Sequence, residues 1–126
     1  MKEAKIILPV RDNDGRNLDS VHQALAHALA ATFGGVTIGQ AEGAWIAPDG
    51  AEIVEPVKEY VSAYEPNAEN DARLDAIAVR AGAAARQQAV YVRHASGDVS
   101  VIDIPKAEHA PNWNLPTKAE HNGWRA

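Results

Sequence analysis

The sequence predicts an α+β fold of the ferredoxin-like type, a split βαβ sandwich with element order β-α-β-β-α-β, an extra C-terminal strand and an irregular tail. Three observations predict this fold. Apolar stripes of helical period alternate with β-rich runs along the chain. A Pro-Asp-Gly turn signal joins two β-rich runs directly, as in an antiparallel hairpin. Both helical segments are long enough to cross a sheet, so we expect them to cover one face and leave the other open.

The first half of the chain contains a strand followed by a helix. The strand is the apolar run KIILPV at residues 5–10, which ends at the turn-rich stretch RDNDG. Asn17 or Asp19 is a candidate N-cap for a helix near residues 18–33, and Gly34 or Gly35 closes that helix. The core-facing stripe of the helix has three- and four-residue spacing and consists of Val21, Ala24, Leu25, Ala28 and Leu29.

The second half begins with an antiparallel hairpin of residues 36–46 and 53–64. Asn67 is a candidate cap for a helix near residues 68–87, whose apolar side consists of Leu74, Ile77, Ala78 and Ala81. Two alternating runs around Ser96-Gly97 predict the last strand and an extra hairpin strand, at residues 89–94 and 99–104. We therefore expect a ferredoxin-like domain over residues 1–104 and a C-terminal tail containing proline and tryptophan over residues 105–126.

Composition excludes several classes of function. With 126 residues and 46% apolar composition the chain has room for one domain with one core. A formal net charge of -5 argues against nucleic acid or an anionic membrane as the main partner. The absence of cysteine excludes disulfides, thiolate catalysis and cysteine-ligated metal sites. No signal-peptide pattern and no membrane-spanning run is visible, so we expect a cytoplasmic protein that contacts no membrane.

The motifs that resemble metal sites do not fit metal binding. Asp12 and Asp14 precede Gly15 as in a calcium loop, but the glycine comes two positions too early, so we interpret this stretch as a solvated turn. His22 and His27 lie about 140° apart around a helix of 3.6-residue period, which prevents them from binding one metal ion. We interpret both as surface histidines. The sequence thus predicts no metal and no cofactor.

The first and last strands of the predicted sheet carry apolar residues on both faces. In the first strand Ile6 and Leu8 alternate with Ile7, and in the last strand Val90 and Val92 flank Tyr91. A sheet that is apolar on both faces needs a second covering layer. In a chain of this size the simplest covering layer is another copy of the same chain. We therefore expect a homo-oligomer.

Two carboxylates interrupt an apolar row in the strand at residues 53–64. Counting by two, Glu55 and Glu59 share a face with Ile53, Val57, Val61 and Ala63. Either Pro56 creates an edge position or a bulge, or one carboxylate lines a pocket and meets a cation. Trp45 on the partner strand lies near the same turn, where it either packs in the core or faces Glu55. An indole beside a carboxylate suits an ammonium or sulfonium group.

A longer stretch around these residues resembles the small phage S-adenosylmethionine lyases. The resemblance covers residues 33–92 and consists of GGVTIGQAEGAW, then Glu55, then a helix leading to RQQAVYV. It includes a Gly-x-aromatic element, here Gly43 and Trp45, and a glutamate ten residues after the tryptophan. The family usually has tyrosine where Trp45 stands, so a role for a phenolic hydroxyl is in doubt here.

The resemblance implies an enzyme that converts S-adenosylmethionine to methylthioadenosine and homoserine lactone. The carboxylate of the substrate itself displaces the sulfonium, so the protein acts mainly by folding the substrate into a reactive shape. Glu55 is then the catalytic residue that holds the substrate ammonium, with Glu59 as the alternate, and Trp45 and Gly43 shape the binding site. The resemblance also implies a trimer with sites between subunits, and the host cytoplasm as location if a phage encodes the chain.

A second class of function stays open on the sequence alone. The chain is then a non-enzymatic, oligomeric binding or inhibitor module of phage or bacterial origin that acts on a host protein. Trp113 and Trp124 in the proline-containing tail resemble anchors for such a partner. The alternative for both tryptophans is packing against their own chain or a neighbouring copy.

Overall fold

The computed structural model describes residues 1–113, so the predicted anchor Trp124 lies outside the described residues. In chain order the elements are β1 (Lys2–Pro9), α1 (Asp19–Phe33), β2 (Thr37–Ile46), β3 (Glu52–Tyr64), α2 (Ala68–Ala84), β4 (Ala89–Arg93) and β5 (Val99–Asp103). A short 3-10 turn, Lys106–Glu108, follows β5. The strands form a five-stranded sheet in the order β2-β3-β1-β4-β5, and all neighbouring pairs are antiparallel. This α+β layout confirms the predicted ferredoxin-like arrangement with its extra strand.

One face of the sheet packs against both helices. The two helices contact each other, and α1 also contacts β3 while α2 contacts β4 and β1. The sheet side chains in this core alternate along the strands and include Ile6, Leu8, Tyr60, Tyr64, Val90 and Val92. Leu25 and Leu29 from α1 and Leu74 from α2 cover them. The opposite face, which carries the odd-numbered residues of β1 and β3, has no covering layer among the described residues.

The helix ends follow the local signals in the sequence. Gly34 ends α1 with a positive φ of 94°, and its N–H donates to the Ala30 carbonyl. Asn67 caps α2, because its side-chain oxygen accepts the Asn70 N–H at 2.8 Å. At the start of α1 the prediction of Asn17 or Asp19 as the cap was wrong, because the cap position is Leu18, which makes no side-chain capping bond. The side chain of Asn17 accepts the Asp19 N–H instead.

The residues after β5 pack along α2. The Arg80 guanidinium donates to the carbonyl oxygens of Ala110 at 2.8 Å and of Asn112 at 3.2 Å. The same guanidinium lies 5.5 Å from the ring centroid of Trp113, within cation-π range. Trp113 also packs against the main hydrophobic core. Of the two alternatives for this tryptophan, the structure therefore shows packing against its own chain.

Two side chains that the sequence placed in solvent are buried. The Asp12 carboxylate accepts the N–H groups of Asp14 and Arg16, so the predicted turn is present but its aspartate is not solvated. His22 is only 4% exposed, so its interpretation as a surface histidine was wrong. The physical reason is that His22 precedes Leu25 and Leu29 by three and seven residues, which places it on the core stripe of α1.

Gly82 gives a test of the close contact between α2 and the sheet. A Cβ at this position would lie 2.9 Å from Ile104 Cδ1 and would overlap Val90. We expect Gly82→Ala to lower the free energy of unfolding by at least about 1 kcal/mol, because overpacking outweighs the gain in helix propensity. Gly35→Ala is the matched control, since a Cβ there meets nothing within 4 Å. Equal midpoints for both variants in denaturant titrations would contradict the described packing.

Candidate functional site

The predicted site residues lie together on the open face of the sheet. In the pairing of β2 with β3, Gly43 is opposite Glu55 and Gly39 is opposite Glu59. Residues directly opposite each other in an antiparallel pair point to the same face, and residues two apart along a strand do so too. Trp45, Gly43, Glu55 and Glu59 therefore share one face, which is the face away from the helices.

The two carboxylates occur in an apolar row because that row is not the core row. In β3 the residues that enter the core between the sheet and the helices are Tyr60 and Tyr64, with Ser62 buried between them. Glu55 and Glu59 alternate with these residues and belong to the open face. The pairing of β2 with β3 runs from Thr37 to Ile46 in one unbroken register, so Pro56 does not create a bulge. Pro56 does occupy the other predicted alternative, an edge position, because the pairing of β1 with β3 ends at Val57.

Glu55 and Glu59 occupy different parts of β3. β1 pairs with β3 only as far as Val57, which is opposite Pro9. Glu59 is thus in the interior of the sheet, between β1 and β2. Beyond Val57 only β2 and β3 continue, and we call this two-stranded extension, residues 42–56, the hairpin arm. Glu55 lies on the hairpin arm, on the same face as Trp45.

The Trp45 indole packs over Gly43, where the absence of a side chain leaves room for the ring. A Cβ at Gly43 would come within 2.9 Å of Trp45 Cζ3 and 3.3 Å of Val57 Cγ1. The indole therefore lies across the glycine, on the side of the strand where Val57 is also close to Gly43. Trp45 itself remains 43% exposed. Glu55 is its diagonal cross-strand neighbour, a relation that brings Cβ atoms to about 7–8 Å and allows an aromatic ring to reach across.

The two carboxylates differ in whether a cation already neutralises them. Glu59 Oε1 accepts a hydrogen bond from Lys5 Nζ at 3.2 Å, and both side chains are partly buried. Within residues 1–113 Glu55 has no hydrogen-bond or ion-pair partner. Burial raises the pKa of the Glu55 carboxyl, because the charged form loses solvation that no neighbour replaces. Of the two predicted candidates, Glu55 is therefore the one that no described cation neutralises.

The surroundings of the site are apolar and exposed. The hairpin arm exposes Ile46 and Val54 on one side and Trp45 and Ile53 on the other. Across the open face, Tyr91 and Val101 lie in the same row as Glu59 and Ile7. Val101 is 64% exposed. Trp45, Ile53, Tyr91 and Val101 thus place apolar side chains on the uncovered side of the sheet, and exposed apolar residues of this kind are typical of an interaction surface.

The described cavities lie away from this site. One groove of about 560 Å³ runs along α2 between Asp75, Arg80 and Glu108, and a smaller cavity of about 180 Å³ adjoins His22 and Tyr60. Neither of these two cavities includes Trp45 or Glu55.

No group of three His, Asp or Glu side chains in residues 1–113 is placed to hold a metal ion. None of the helices in the described part of the chain is long and apolar enough to cross a membrane.

Two sets of polar contacts in the structure were not predicted from the sequence. Lys5, which neutralises Glu59, alternates with the core residues of β1. This alternation is the only sequence pattern that places Lys5 on the open face. Tyr64 donates to Asp71 at 2.6 Å, and His94 lies between Asp71 and Asp75, with 2.8 Å to the second. Burial, reinforced by the bond to Asp71, raises the pKa of Tyr64 to about 12. This network links β3, α2 and β4 and lies on the helix side of the sheet.

Comparison with known proteins supports the fold. No protein-family model matches the chain, and no curated protein matches it. A phage SAM lyase solved in complex with S-methyl-5'-thioadenosine superimposes with a TM-score of 0.63 at 16% identity, over 80% of this chain and 88% of that one. A phage SAM lyase in the apo state gives a TM-score of 0.57 at 11% identity, over 80% and 87% of the two chains. The chain thus resembles the phage SAM lyases, as residues 33–92 predict, and shares their fold.

Proposed function

We propose that this protein is an S-adenosylmethionine lyase that forms methylthioadenosine and homoserine lactone. The observation that carries the proposal is the pairing of an unneutralised, partly buried carboxylate, Glu55, with the half-exposed face of Trp45. A carboxylate beside an indole suits a ligand that carries an ammonium and a sulfonium group. Because the chain shares its fold with phage SAM lyases, we propose S-adenosylmethionine as this ligand.

The proposed reaction is an intramolecular displacement. An oxygen of the substrate carboxylate attacks the carbon γ to it, the C–S bond breaks, and its electron pair leaves with the neutral thioether of methylthioadenosine. The carboxylate is already ionised at neutral pH, so the step needs no general base, and it consumes no water. What the protein contributes is geometry, because the substrate chain must fold back on itself. Glu55 holds the ammonium, and Trp45 lies against the sulfonium end.

The two glutamates give the first test of this assignment. Glu55→Gln keeps the shape but removes the charge, so binding of S-adenosylmethionine should weaken by about 1.5–3 kcal/mol, or roughly 10- to 150-fold. Glu59→Gln should weaken binding much less, since Lys5 already neutralises Glu59. Glu52→Gln is the matched control, because Glu52 lies on the opposite side of the hairpin arm. Calorimetric titration and chromatography for methylthioadenosine measure binding and turnover.

The outcomes of that experiment separate the assignments. Equal effects of all three substitutions would remove Glu55 from the site, and a larger effect of Glu59→Gln would exchange the two roles. No binding and no turnover in the wild type would discard the enzyme proposal. The binding-module alternative would then remain, although Trp113 no longer supports it as a free anchor, because Arg80 holds that ring.

Gly43 gives a second test, directed at the position of the indole. Gly43→Ala places a methyl group within 2.9 Å of Trp45 Cζ3, so the ring must move away from its position over Gly43. We expect affinity for S-adenosylmethionine to fall by about tenfold or more, since the aromatic contact loses its position. Gly39→Ala is the control on the same strand and face, because its Cβ would meet only Glu59 Oε2 at 4.0 Å. Unchanged affinity in Gly43→Ala would show that the position of the indole over Gly43 does not matter for binding.

We further propose that the open face is covered by other copies of this chain. The hairpin arm carries four acidic residues, Glu42, Asp49, Glu52 and Glu55, and no lysine or arginine. Two arms therefore repel each other, which disfavours a contact of arm with arm. Of the two cations that the strands carry on the open face within residues 1–113, Lys5 is paired with Glu59, whereas Arg93, which lies opposite Lys5, has no ion-pair partner among the described residues. This charge distribution favours a head-to-tail contact that closes into a ring. The resemblance to the phage S-adenosylmethionine lyases implies three copies, and we propose a trimer.

Oligomer mass tests this assembly. Light scattering should report about three times the chain mass of 13.5 kDa at micromolar concentration. Val101→Asp places a charge on the apolar open face and should produce a monomer. Ala72→Asp, on the exposed side of α2, is the control and should leave the mass unchanged. A monomeric wild type would contradict the assembly while leaving the assignment of Glu55 to be judged by binding.

A further inference from the structure

Arg11 is the first cation after the end of β1, and the strand register places it beside Glu55. The regular pairing of β1 with β3 ends at Pro9, and the Val10 N–H then donates to the Pro56 carbonyl at 3.1 Å. Pro56 has no N–H to return this bond, so the regular pairing stops although the two chains are still adjacent. The next pair in the same register is Arg11 opposite Glu55.

Arg11 keeps the extended backbone that determines which side it faces. It forms an antiparallel bridge with Asn17 across the loop that follows β1. Side chains alternate along an extended chain, so Arg11 continues the odd row of β1 and faces the same side as Glu55. The next residue, Asp12, turns to the opposite side, where its buried carboxylate lies 3.8 Å from the guanidinium of Arg86, which follows α2. The alternation therefore continues past the end of the strand.

The guanidinium of Arg11 is available to an anionic ligand. It donates to the Gly15 carbonyl at 3.2 Å, which is a neutral acceptor, and it has no ion-pair partner within residues 1–113. The side chain is exposed. A carboxylate accepts two parallel bonds from one guanidinium and also neutralises its charge, neither of which a single carbonyl oxygen does. A carboxylate ligand would therefore displace the contact with Gly15.

The other cations on this part of the chain are already paired or distant. Arg16 lies in the same loop, but its guanidinium is 3.7 Å from each of two aspartate carboxylates. Lys5 is paired with Glu59 and precedes Arg11 by six residues, which is about 20 Å along an extended chain. Among the described residues, Arg11 is therefore the unpaired cation beside Glu55.

A carboxylate and a guanidinium at this spacing match the two charged groups of an α-amino acid. Directly opposite residues of an antiparallel pair have Cβ atoms about 4.5–5.5 Å apart. The ammonium and the carboxylate of an α-amino acid are attached to one carbon, so a ligand between the two side chains reaches Glu55 with its ammonium and Arg11 with its carboxylate. S-adenosylmethionine ends in such a group. Trp45 lies on the other side of Glu55, on β2, where it is left for the sulfonium.

We propose that Arg11 is a specificity-determining residue of the candidate site: it binds the carboxylate of the ligand while Glu55 binds the ammonium, so the pair selects ligands that end in an α-amino-acid group. The ligand part of this inference rests on the proposed function, whereas the placement of Arg11 beside Glu55 does not. A carboxylate has two oxygens, so one stays bound to Arg11 while the other attacks the carbon that is bonded to sulfur.

The first experiment tests the placement of Arg11 and needs no ligand. The chain contains no cysteine, so a pair of introduced cysteines reports a single distance. Arg11→Cys combined with Glu55→Cys should form an intramolecular disulfide under mild oxidation, because the Cα atoms of directly opposite residues lie within the roughly 4.4–6.8 Å that a disulfide spans. Lys5→Cys combined with Glu55→Cys is the matched control and should stay reduced, since these positions are about 20 Å apart. Mass spectrometry without reductant detects the bridge.

The second experiment compares ligands with and without a carboxylate. Decarboxylated S-adenosylmethionine keeps the ammonium and the sulfonium but lacks the nucleophile, so it inhibits turnover without reacting. In Arg11→Gln we expect kcat/KM for S-adenosylmethionine to fall about tenfold or more, because a bond between two charged groups is lost, while the inhibition constant of the decarboxylated compound stays unchanged.

Two further variants serve as controls for this comparison. Glu55→Gln should weaken the binding of both compounds, because both carry the ammonium. Arg16→Gln removes a cation from the same loop, but one that is paired with aspartates, so it should change neither value. The selective loss of the compound that carries the carboxylate is thus expected in Arg11→Gln alone.

The results distinguish failure of this inference from failure of the proposed function. An equal loss with both compounds in Arg11→Gln would show a structural role in the loop, and no loss with either would show that Arg11 does not contact the ligand; both results overturn the inference. It is also overturned if the variant with Arg11→Cys and Glu55→Cys stays reduced. If that variant forms the disulfide but the wild type neither binds nor converts S-adenosylmethionine, the proposed function is wrong and the placement of Arg11 stands.

Discussion

The pairing of β3 between β1 and β2 is the constraint on which the rest of the structure depends. With the register fixed on both sides, each residue of β3 is assigned to one of two faces. The even row supplies Tyr60 and Tyr64 to the core, where each hydroxyl finds a polar partner from a helix. The odd row supplies Glu55 and Glu59 to the uncovered face. A slip of one residue would bury both glutamates and expose both tyrosines, so core packing and site geometry are specified together.

The element order and most of the element ends could be predicted from the sequence, because they depend on local signals. Asn67, Gly34 and the Pro-Asp-Gly turn act within a few residues of themselves. Which row of β3 enters the core could not be predicted in the same way. The odd row contains Val57 and Val61 and looks the more apolar, whereas the even row contains Lys58 and Ser62. The burial of Tyr60 and Tyr64 determines which row of β3 enters the core. That burial depends on tertiary contacts with His22 and Asp71.

The candidate site shows the same division between local and tertiary information. Spacing by two was enough to place Glu55 and Glu59 on one face and to bring Trp45 near them across the hairpin. Spacing does not show which carboxylate is already neutralised, because Lys5 belongs to a strand more than fifty residues away in the chain. His22 was misplaced for a related reason. Its spacing to Leu25 and Leu29 indicates the core stripe of α1, but the hydrogen bonds to Tyr60 and to the Pro9 carbonyl that satisfy a buried imidazole come from other strands.

Two features of the single chain are energetically unfavourable in water, and the proposed function would remove both of them. An unneutralised Glu55 and the apolar residues exposed on both sides of the hairpin arm each raise the free energy of an isolated chain in water. A cationic ligand would neutralise Glu55, and neighbouring copies would cover the apolar surface. Binding free energy would then be available to hold the arm rigid. The hairpin arm is joined to β1 only at its base, so this added rigidity would help to fix the position of Trp45.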